Sequence, residues 1–177
     1  MTPNKDLKFY IKYFLPGLAL ILTLITAGQF YSSKLTENDL KEVVGKLTLI
    51  KKDRYKHHKY TDDRITIHIE GHSEPFYFFE NNINYFNTIM ENVIEGEIIS
   101  IKHRTKLQSI IGTGSEFKIF KLSKNSIVLY NFENTKQHFW NVGKFSFWAS
   151  LGLWIFYIWL KIKFKTKKAA HNSGLAQ

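Results

Sequence analysis

Seven histidines are the residues of this sequence best suited to metal binding, because neutral imidazole is a common ligand for zinc and copper. His68 and His72 flank an expected turn, and His57 and His58 are adjacent in a polar stretch. None of them falls into an H-E-x-x-H or comparable spacing, and the chain has no cysteine to complete a site. We therefore expect no metal ligands and no cofactor, with the histidines on exposed strands and loops.

A glycine-rich stretch, "IIGTGSEF" from Ile110 to Phe117, begins like a phosphate-binding loop. The third glycine of G-x-G-x-x-G is missing, Phe117 stands in its place, and a strand-like pattern follows instead of a helix. The stretch therefore predicts a glycine-rich hairpin loop.

The carboxylates are scattered, and Asp62 and Asp63 are typical of a turn. Without paired acids, or a nucleophile beside a base, the sequence predicts no catalytic residues and a non-enzymatic protein. An enzyme acting on an envelope polymer or lipid remains an alternative, because catalytic groups assemble across a fold.

A basic and aromatic segment, "KKDRYKHHKYTDDR" from Lys51 to Arg64, is the best candidate for binding. It holds six lysines and arginines and two interleaved tyrosines. Cations beside flat rings suit an anionic partner, of which single-stranded nucleic acid is one example. The loop residues predicted to contact such a partner are Arg54, Tyr55, Lys56, His57, His58, Lys59 and Tyr60. A solvated hairpin loop is the alternative.

The elements that position these groups include a predicted membrane span at residues 13–33. These 21 residues carry no charge, and as a helix they cover roughly 30 Å, the thickness of the hydrocarbon core. Pro16 is expected in the first turn, where its missing N–H costs least. A cleaved signal peptide is the alternative, although Ile25 fits poorly two positions before a cut after Ala27.

A second apolar run, from Phe145 to Leu160, extends back to Phe139 if the Lys144 side chain reaches the interface. Its bulky side chains point in all directions around a helix, so no polar face is left for water. The pattern predicts a second span at 139–160. A buried core helix is the alternative, for which the rest of the chain supplies too little core.

Small residues recur every four positions in both predicted spans, and such stripes let helix backbones approach closely. They are Ala19, Thr23 and Ala27 in the first span, and Ser146 and Ser150 in the second. We expect the two spans to pair within one chain, or copies of the chain to form a homo-oligomer. The alternative is that these small residues have no packing role, since small residues are common in membrane spans. A pore-forming or channel-like oligomer gated by the central domain is the main functional alternative.

The net charge of +10 is distributed as in a membrane protein. Residues 32–138 carry 16 basic and 14 acidic residues, so most of the excess flanks the two apolar runs. Lysines precede the first run and follow the second, which predicts that both termini are cytoplasmic. The predicted organisation is a cytoplasmic segment 1–12, spans 13–33 and 139–160, an extracytoplasmic domain 34–138, and a basic tail 161–177.

The central residues 43–133 alternate like strands. Leu47 and Leu49 are expected on one face, and so are Ile65, Ile67 and Ile69. The stretch from Ile83 to Val93 has helical spacing, after which alternation resumes through Ile99 and Ile101.

Three strands, a short helix and two or three further strands resemble the OB-fold, a small Greek-key barrel. An SH3-like barrel and an open α+β sheet are alternatives. The sequence thus predicts a membrane-anchored, mainly-β protein, in which two transmembrane helices flank a small OB-like or SH3-like β-barrel domain with one short helix.

The expected role is a binding or assembly module in the inner membrane of a bacterium. Its expected partners are membrane lipid, a protein or second copy of the chain, and an anionic envelope ligand contacting the basic segment. Nucleic acid is not expected outside the cytoplasm.

Overall fold

The computed structural model describes residues 9–57, 60–79 and 83–173. The chain divides into two compact units, one of residues up to Gln29 and from Asn141 onward, the other of Phe30–Trp140. A π-helical turn, Tyr10–Phe14, precedes the first helix, and a 3₁₀ turn, Glu37–Asp39, follows it. In chain order the other elements are α1 (Leu15–Lys34), β1 (Lys41–His57), β2 (Tyr60–Ile69), β3 (Phe76–Phe78), α2 (Ile83–Asn92), β4 (Ile98–His103), α3 (Lys106–Ile111), β5 (Ile119–Lys124), β6 (Ile127–Tyr130) and α4 (Phe132–Ser173).

Two helical segments, Tyr10–Lys34 and Phe132–Phe164, are long and apolar enough to cross a membrane. Their large apolar side chains are mostly exposed, for example Leu24 at 61% and Ile155 at 60%. A helix in the core of a soluble domain would bury such side chains. The predicted spans 13–33 and 139–160 each lie within one of these segments.

Pro16 lies in the first turn of α1, as predicted, but the helical segment begins earlier, because a π-helical turn directly precedes α1. The Leu15 N–H donates to the Tyr10 carbonyl, five residues back, in a π-helical turn. Proline has no N–H and its ring crowds the carbonyl four residues earlier. A wider turn accommodates both effects in membrane helices.

The second unit, Phe30–Trp140, contains a six-stranded antiparallel sheet in the order β3-β2-β1-β4-β5-β6. Strand β1 joins its two halves, because Lys41–Lys46 pairs with β4 and Leu47–His57 pairs with β2. A register shift between Leu47 and Leu49 marks a bulge. The bulge inserts an extra residue and reverses the alternation. Leu47 is therefore buried while Leu49 is exposed, and the prediction that they share a face was wrong.

The main hydrophobic core lies between one sheet face and α2. Ile65, Ile67 and Ile69 of β2 are all buried there, which confirms the period-two prediction. From α2, Phe86 and Ile89 pack into the same core. A smaller second cluster consists of Leu35, Leu40, Phe120, Phe132 and Phe139.

The sheet does not close into a barrel within the described residues. Strand β3 has only three residues. It approaches the start of β5 through an isolated parallel bridge between Tyr77 and Lys118, where the Tyr77 N–H donates to the Phe117 carbonyl at 2.8 Å. So short a strand leaves too few ladder hydrogen bonds to seal the sheet. The predicted closed barrel is therefore wrong, whereas the order of three strands, a helix and three strands is confirmed.

A second short helix, α3, was not predicted and ends within the glycine-rich stretch that begins at Ile110, so the class is mixed rather than mainly β with one short helix. A capping box starts α3, because the Gln108 N–H donates to Thr105 Oγ1 and the Thr105 N–H donates to Gln108 Oε1. Two backbone N–H groups at the start of the helix, which have no partner within the helix, are hydrogen-bonded in this way. The Thr-x-x-Gln pattern of this capping box is present in the sequence "TKLQ" and could have predicted the helix.

Candidate functional site

An open groove of about 450 Å³ crosses the outer face of β1, β4, β5 and β6. Antiparallel pairing aligns its central row, since Val44 lies opposite Ser100, Ser100 opposite Ser123, and Ser123 opposite Val128. Alternate residues of a strand share a face. The neighbouring positions in β4, Ile99 and Ile101, are therefore directed into the core while the groove residues face outward.

One end of the groove is a cluster of charges. Lys102 and Lys121 lie directly opposite each other on adjacent strands, which is an unfavourable pairing by itself. Glu37 offsets it, because its Oε2 lies 2.8 Å from Lys121 Nζ and 3.2 Å from Lys102 Nζ. The Lys121 hydrogen bond, with that of Lys102, lowers the pKa of the Glu37 carboxyl, which is therefore ionised at neutral pH. Glu42 lies opposite Lys102, so this end of the groove is charge-balanced.

The rest of the groove offers hydroxyls and exposed apolar side chains. Ser100 Oγ donates to Glu42 Oε1 at 2.5 Å. Val44 and Ile98 are 62% and 61% exposed. Such a surface suits a protein partner that combines apolar contacts with hydrogen bonds.

The Ser100–Glu42 hydrogen bond places a hydroxyl beside a carboxylate, but the residues that line the groove include no histidine to complete a Ser–His–acid arrangement. In the part of the chain that the structure describes, no group of three His, Asp or Glu residues is placed to hold a metal ion.

The basic segment predicted to bind an anion is not a loop. Strands β1 and β2 continue as a two-stranded arm until His57 pairs with Tyr60. Opposite charges favour this pairing, because Lys52 Nζ lies 3.0 Å from Asp63 Oδ2 across the strands. The prediction of a loop was wrong because these charges mask the strand period in the sequence.

The predicted contact residues have different positions on this arm. Arg54 is opposite Asp63, and its side chain is 83% exposed, with Nε 3.9 Å from the carboxylate. Tyr55 and Lys56 occupy strand positions opposite Asp62 and Thr61. The central pair, His58 and Lys59, lies outside the described residues.

Asp53 fixes the base of the arm. Its carboxylate accepts a hydrogen bond from Thr66 Oγ1 at 2.7 Å and lies near Lys51 and Arg64. The Thr66 hydrogen bond, assisted by Lys51 and Arg64, lowers the pKa of Asp53. The aspartates of the arm thus neutralise only part of its positive charge.

The small residues of the two apolar helices make contacts within the unit that these helices form. Ser150 Oγ lies 2.8 Å from Thr23 Oγ1 and donates to the Ala19 carbonyl at 3.4 Å. Ala19 is fully buried, and Ser146 is buried on the same helix as Ser150. Ala27, by contrast, is exposed. The stripe predicted from the sequence is therefore in contact at Ala19, Thr23 and Ser150.

Sequence reasoning missed a buried cation, Arg104, which is only 1% exposed. Its guanidinium donates to Ser32 Oγ at 3.1 Å and to the carbonyls of Gly112 and Ser115, each at 3.3 Å. Its Nε has no hydrogen-bond partner. Burial lowers the pKa of Arg104 to about 10.

The glycine-rich stretch encloses this guanidinium. A Cβ atom at Gly112 would overlap Arg104 Nη1 and Ser32 Oγ, and one at Gly114 would overlap Arg104 Nη2. The two glycines that resemble the start of a phosphate loop therefore leave room for an arginine of the same chain. Their spacing, eight and ten residues after an arginine, was the available signal.

No family model matches this chain, and neither a curated protein nor a solved structure does. Its function must therefore be inferred from its own residues and geometry.

Proposed function

We propose that this protein is a non-enzymatic binding or assembly module, anchored in the inner membrane of a bacterium by α1 and α4. The sheet domain lies outside the cytoplasm and both termini lie inside. The observation that carries this proposal is the pair of long apolar helices with exposed apolar side chains, one before and one after the sheet domain in the sequence, together with the open groove of that domain. Exposed apolar helices of this length need a bilayer around them.

The groove is the proposed contact surface for a protein partner. Its exposed Val44 and Ile98 provide apolar contact, and Ser100 and Ser123 provide hydroxyls. At its charged end the Lys102 and Lys121 ammonium groups share the Glu37 carboxylate, so a partner need not be strongly charged to bind there. Mixed surfaces of this kind are typical of non-obligate protein interfaces.

We also propose that the sheet domain is an open relative of the OB-fold. Support comes from the helix between the third and fourth strands, from a first strand shared by two halves of the sheet, and from the parallel Tyr77–Lys118 bridge between β3 and β5. The arm formed by β1 and β2 would then correspond to the first OB loop, which grips ligands in that fold. Its excess of basic residues suits an anionic envelope polymer or an acidic protein.

Two other functions have less support. A pore needs polar groups facing a lumen, whereas the hydroxyls of Thr23 and Ser150 lie at hydrogen-bond distance from each other. An enzyme needs a free acid or base, whereas Glu37 and Asp53 are held in ion pairs and hydrogen bonds, and Glu42 accepts a hydrogen bond from Ser100. The membrane potential of cells that overproduce the protein distinguishes a tether from a pore, because a pore depolarises cells and a tether does not.

The proposed groove is tested by partner recovery from detergent with a tag after Gln177. Val44→Arg places a charge in the groove, and Ile94→Arg is a matched control, because Ile94 is 61% exposed and outside the groove. We expect proteins that copurify with the wild-type chain to be retained by Ile94→Arg and lost with Val44→Arg. Equal recovery with both variants, each correctly inserted, would contradict a role for the groove.

A further inference from the structure

Helix α3 exposes an apolar face. Leu107, Ile110 and Ile111 are 66%, 67% and 45% exposed. Their spacing places them on one side of the helix, whereas Ser109 is buried and Gln108 forms the cap on the other side. Clustered large apolar side chains on a folded surface mark contact with a protein or a membrane.

Polar contacts hold α3 beside the C-terminal turn of α1. Arg104, just before α3, donates from Nη1 to Ser32 Oγ in that turn at 3.1 Å. From within α3, Gln108 Nε2 donates to the Asp39 carbonyl at 2.8 Å. Arg104 and Gln108 therefore hold α3 next to the end of α1.

The region where α1 ends carries the residue types found where transmembrane helices leave a bilayer. The rings of Phe30 in α1 and Trp140 in α4 have centres 5.2 Å apart. Lys34 Nζ lies 5.9 Å from the centre of the Trp140 ring. Aromatic rings and lysines at helix ends are typical of the membrane–water interface.

We infer that α3 lies in the headgroup region of the bilayer, with Leu107, Ile110 and Ile111 inserted at the boundary with the acyl chains. This inference rests on the proposed anchoring by α1 and α4. Amphipathic helices bury an apolar face at this depth. The bilayer, rather than a second protein, is the occupant because α3 is held next to the end of α1, where the interfacial aromatics lie, and because Lys106 beside its apolar face suits anionic headgroups.

The inference can be tested on the full chain, because its lack of cysteine lets one introduced cysteine carry one label. Ile110→Cys probes α3, and Ile127→Cys is a matched control that is 65% exposed on β6. Leu20→Cys, 54% exposed on α1, reports on the anchor itself. Each variant is labelled with an environment-sensitive fluorophore and reconstituted in two sets of phosphatidylcholine–phosphatidylglycerol vesicles, one with a shallow spin-label quencher for positions 107, 110 and 127 and one with a quencher deep in the acyl chains for position 20.

We expect quenching at position 110 to be several-fold stronger than at position 127, with strong quenching at position 20. Leu107→Cys provides a second probe of the same face and should behave like Ile110→Cys. Quenching at position 20 without quenching at 107 and 110 would overturn the inference and leave the membrane anchor intact. Absence of quenching at position 20 as well would overturn the proposed anchoring, and this inference with it.

Discussion

Arg104 is a buried cation that makes no ion pair among the described residues. Removing a charge from water costs several kcal/mol, so its surroundings must compensate. Two carbonyls and the Ser32 hydroxyl accept its hydrogen bonds, and the faces of Phe120 and Phe139 lie 5.2 and 5.6 Å from its guanidinium carbon. Both ring faces carry partial negative charge, which is favourable to a cation.

The shape of the guanidinium, and not only its charge, is predicted to matter at this position. Arg104→Lys keeps the charge but loses the planar fork that reaches three acceptors at once. We expect it to lower the free energy of unfolding of the detergent-solubilised chain by on the order of 2–4 kcal/mol. Lys106→Met, which removes an exposed cation nearby, is the control and should have little effect. If the Arg104→Lys variant unfolds at the wild-type temperature, a positive charge at this position would be sufficient for stability and the prediction would be wrong.

His103 is a buried titratable group through which the sheet domain should respond to mild acid. Its ring is 5% exposed, its centre lies 5.1 Å from that of Phe76, and its Nδ1 is 3.2 Å from the Glu116 carbonyl oxygen. Burial lowers its pKa below the ordinary value of 6.5. At pH values between the lowered pKa of His103 in the folded chain and 6.5, the unfolded chain binds more protons than the folded chain. Stability is therefore fully present above pH 6.5 and falls as the pH drops through this window.

A substitution separates this effect from general acid sensitivity. His103→Gln should reduce the loss of stability that begins near pH 6.5, by at most about 1.4 kcal/mol per pH unit for the one proton that is no longer bound. His72→Gln, at an exposed histidine, should leave that loss in place. Free energies of unfolding at a series of pH values from 7.5 to 5 make the comparison. A wild-type pH profile in His103→Gln would exclude His103 as the responding group.

At the scale of elements, the arm of β1 and β2 is stabilised mainly by strand pairing, with its charges largely in solvent. The Arg54 side chain is 83% exposed and Lys52 is 46% exposed, even though both approach Asp63. Exposed pairs of this kind contribute about 0–1 kcal/mol each. The charges of the arm can therefore change without loss of the fold.

Reversing the charge of the arm is expected to abolish contact with an anionic partner while leaving the melting temperature nearly unchanged. The variant replaces Arg54, Lys56 and Lys59 by Glu. Changing the exposed lysines Lys41 and Lys46 to Glu is a control of the same kind elsewhere on β1. Retention on anionic lipid or polymer at low salt is the measurement, since such contacts are screened by salt. Unaltered retention of a correctly inserted arm variant would leave the arm no role in binding.

The sequence predicts those elements whose periodicity is uninterrupted. In β2, Ile65, Ile67 and Ile69 occupy every second position without a break, so the strand and its buried face can be predicted from the sequence. The bulge after Leu47 could not be predicted from the sequence. One inserted residue changes which side chains of the strand point to each face of the sheet, and it leaves no mark in the amino-acid composition. The groove is missed for a related reason, since Val44, Ser100 and Ser123 meet only through strand pairings that are distant in sequence.

At the scale of the whole molecule, the distribution of charge predicts the orientation in the membrane. Lys5, Lys8 and Lys12 precede the first apolar segment, and the lysines from Lys161 onward follow the core of the second. The charges of the intervening domain count little, because long translocated segments do not obey the same bias. Both lysine groups therefore favour the cytoplasmic side, with the sheet domain on the opposite side.

Alkaline phosphatase fusions test this orientation, because the enzyme is active only outside the cytoplasm. A fusion after Asn125, in the turn between β5 and β6, should be active, since α1 would have carried it across the membrane. A fusion after Gln177 should be inactive, since in the proposed topology α4 would return the chain to the cytoplasm. The reverse pattern would invert the proposed topology. Activity at both positions would mean that α4 does not cross, and the exposed apolar side chains along it, such as Phe145 at 77%, would then need a protein partner in place of lipid.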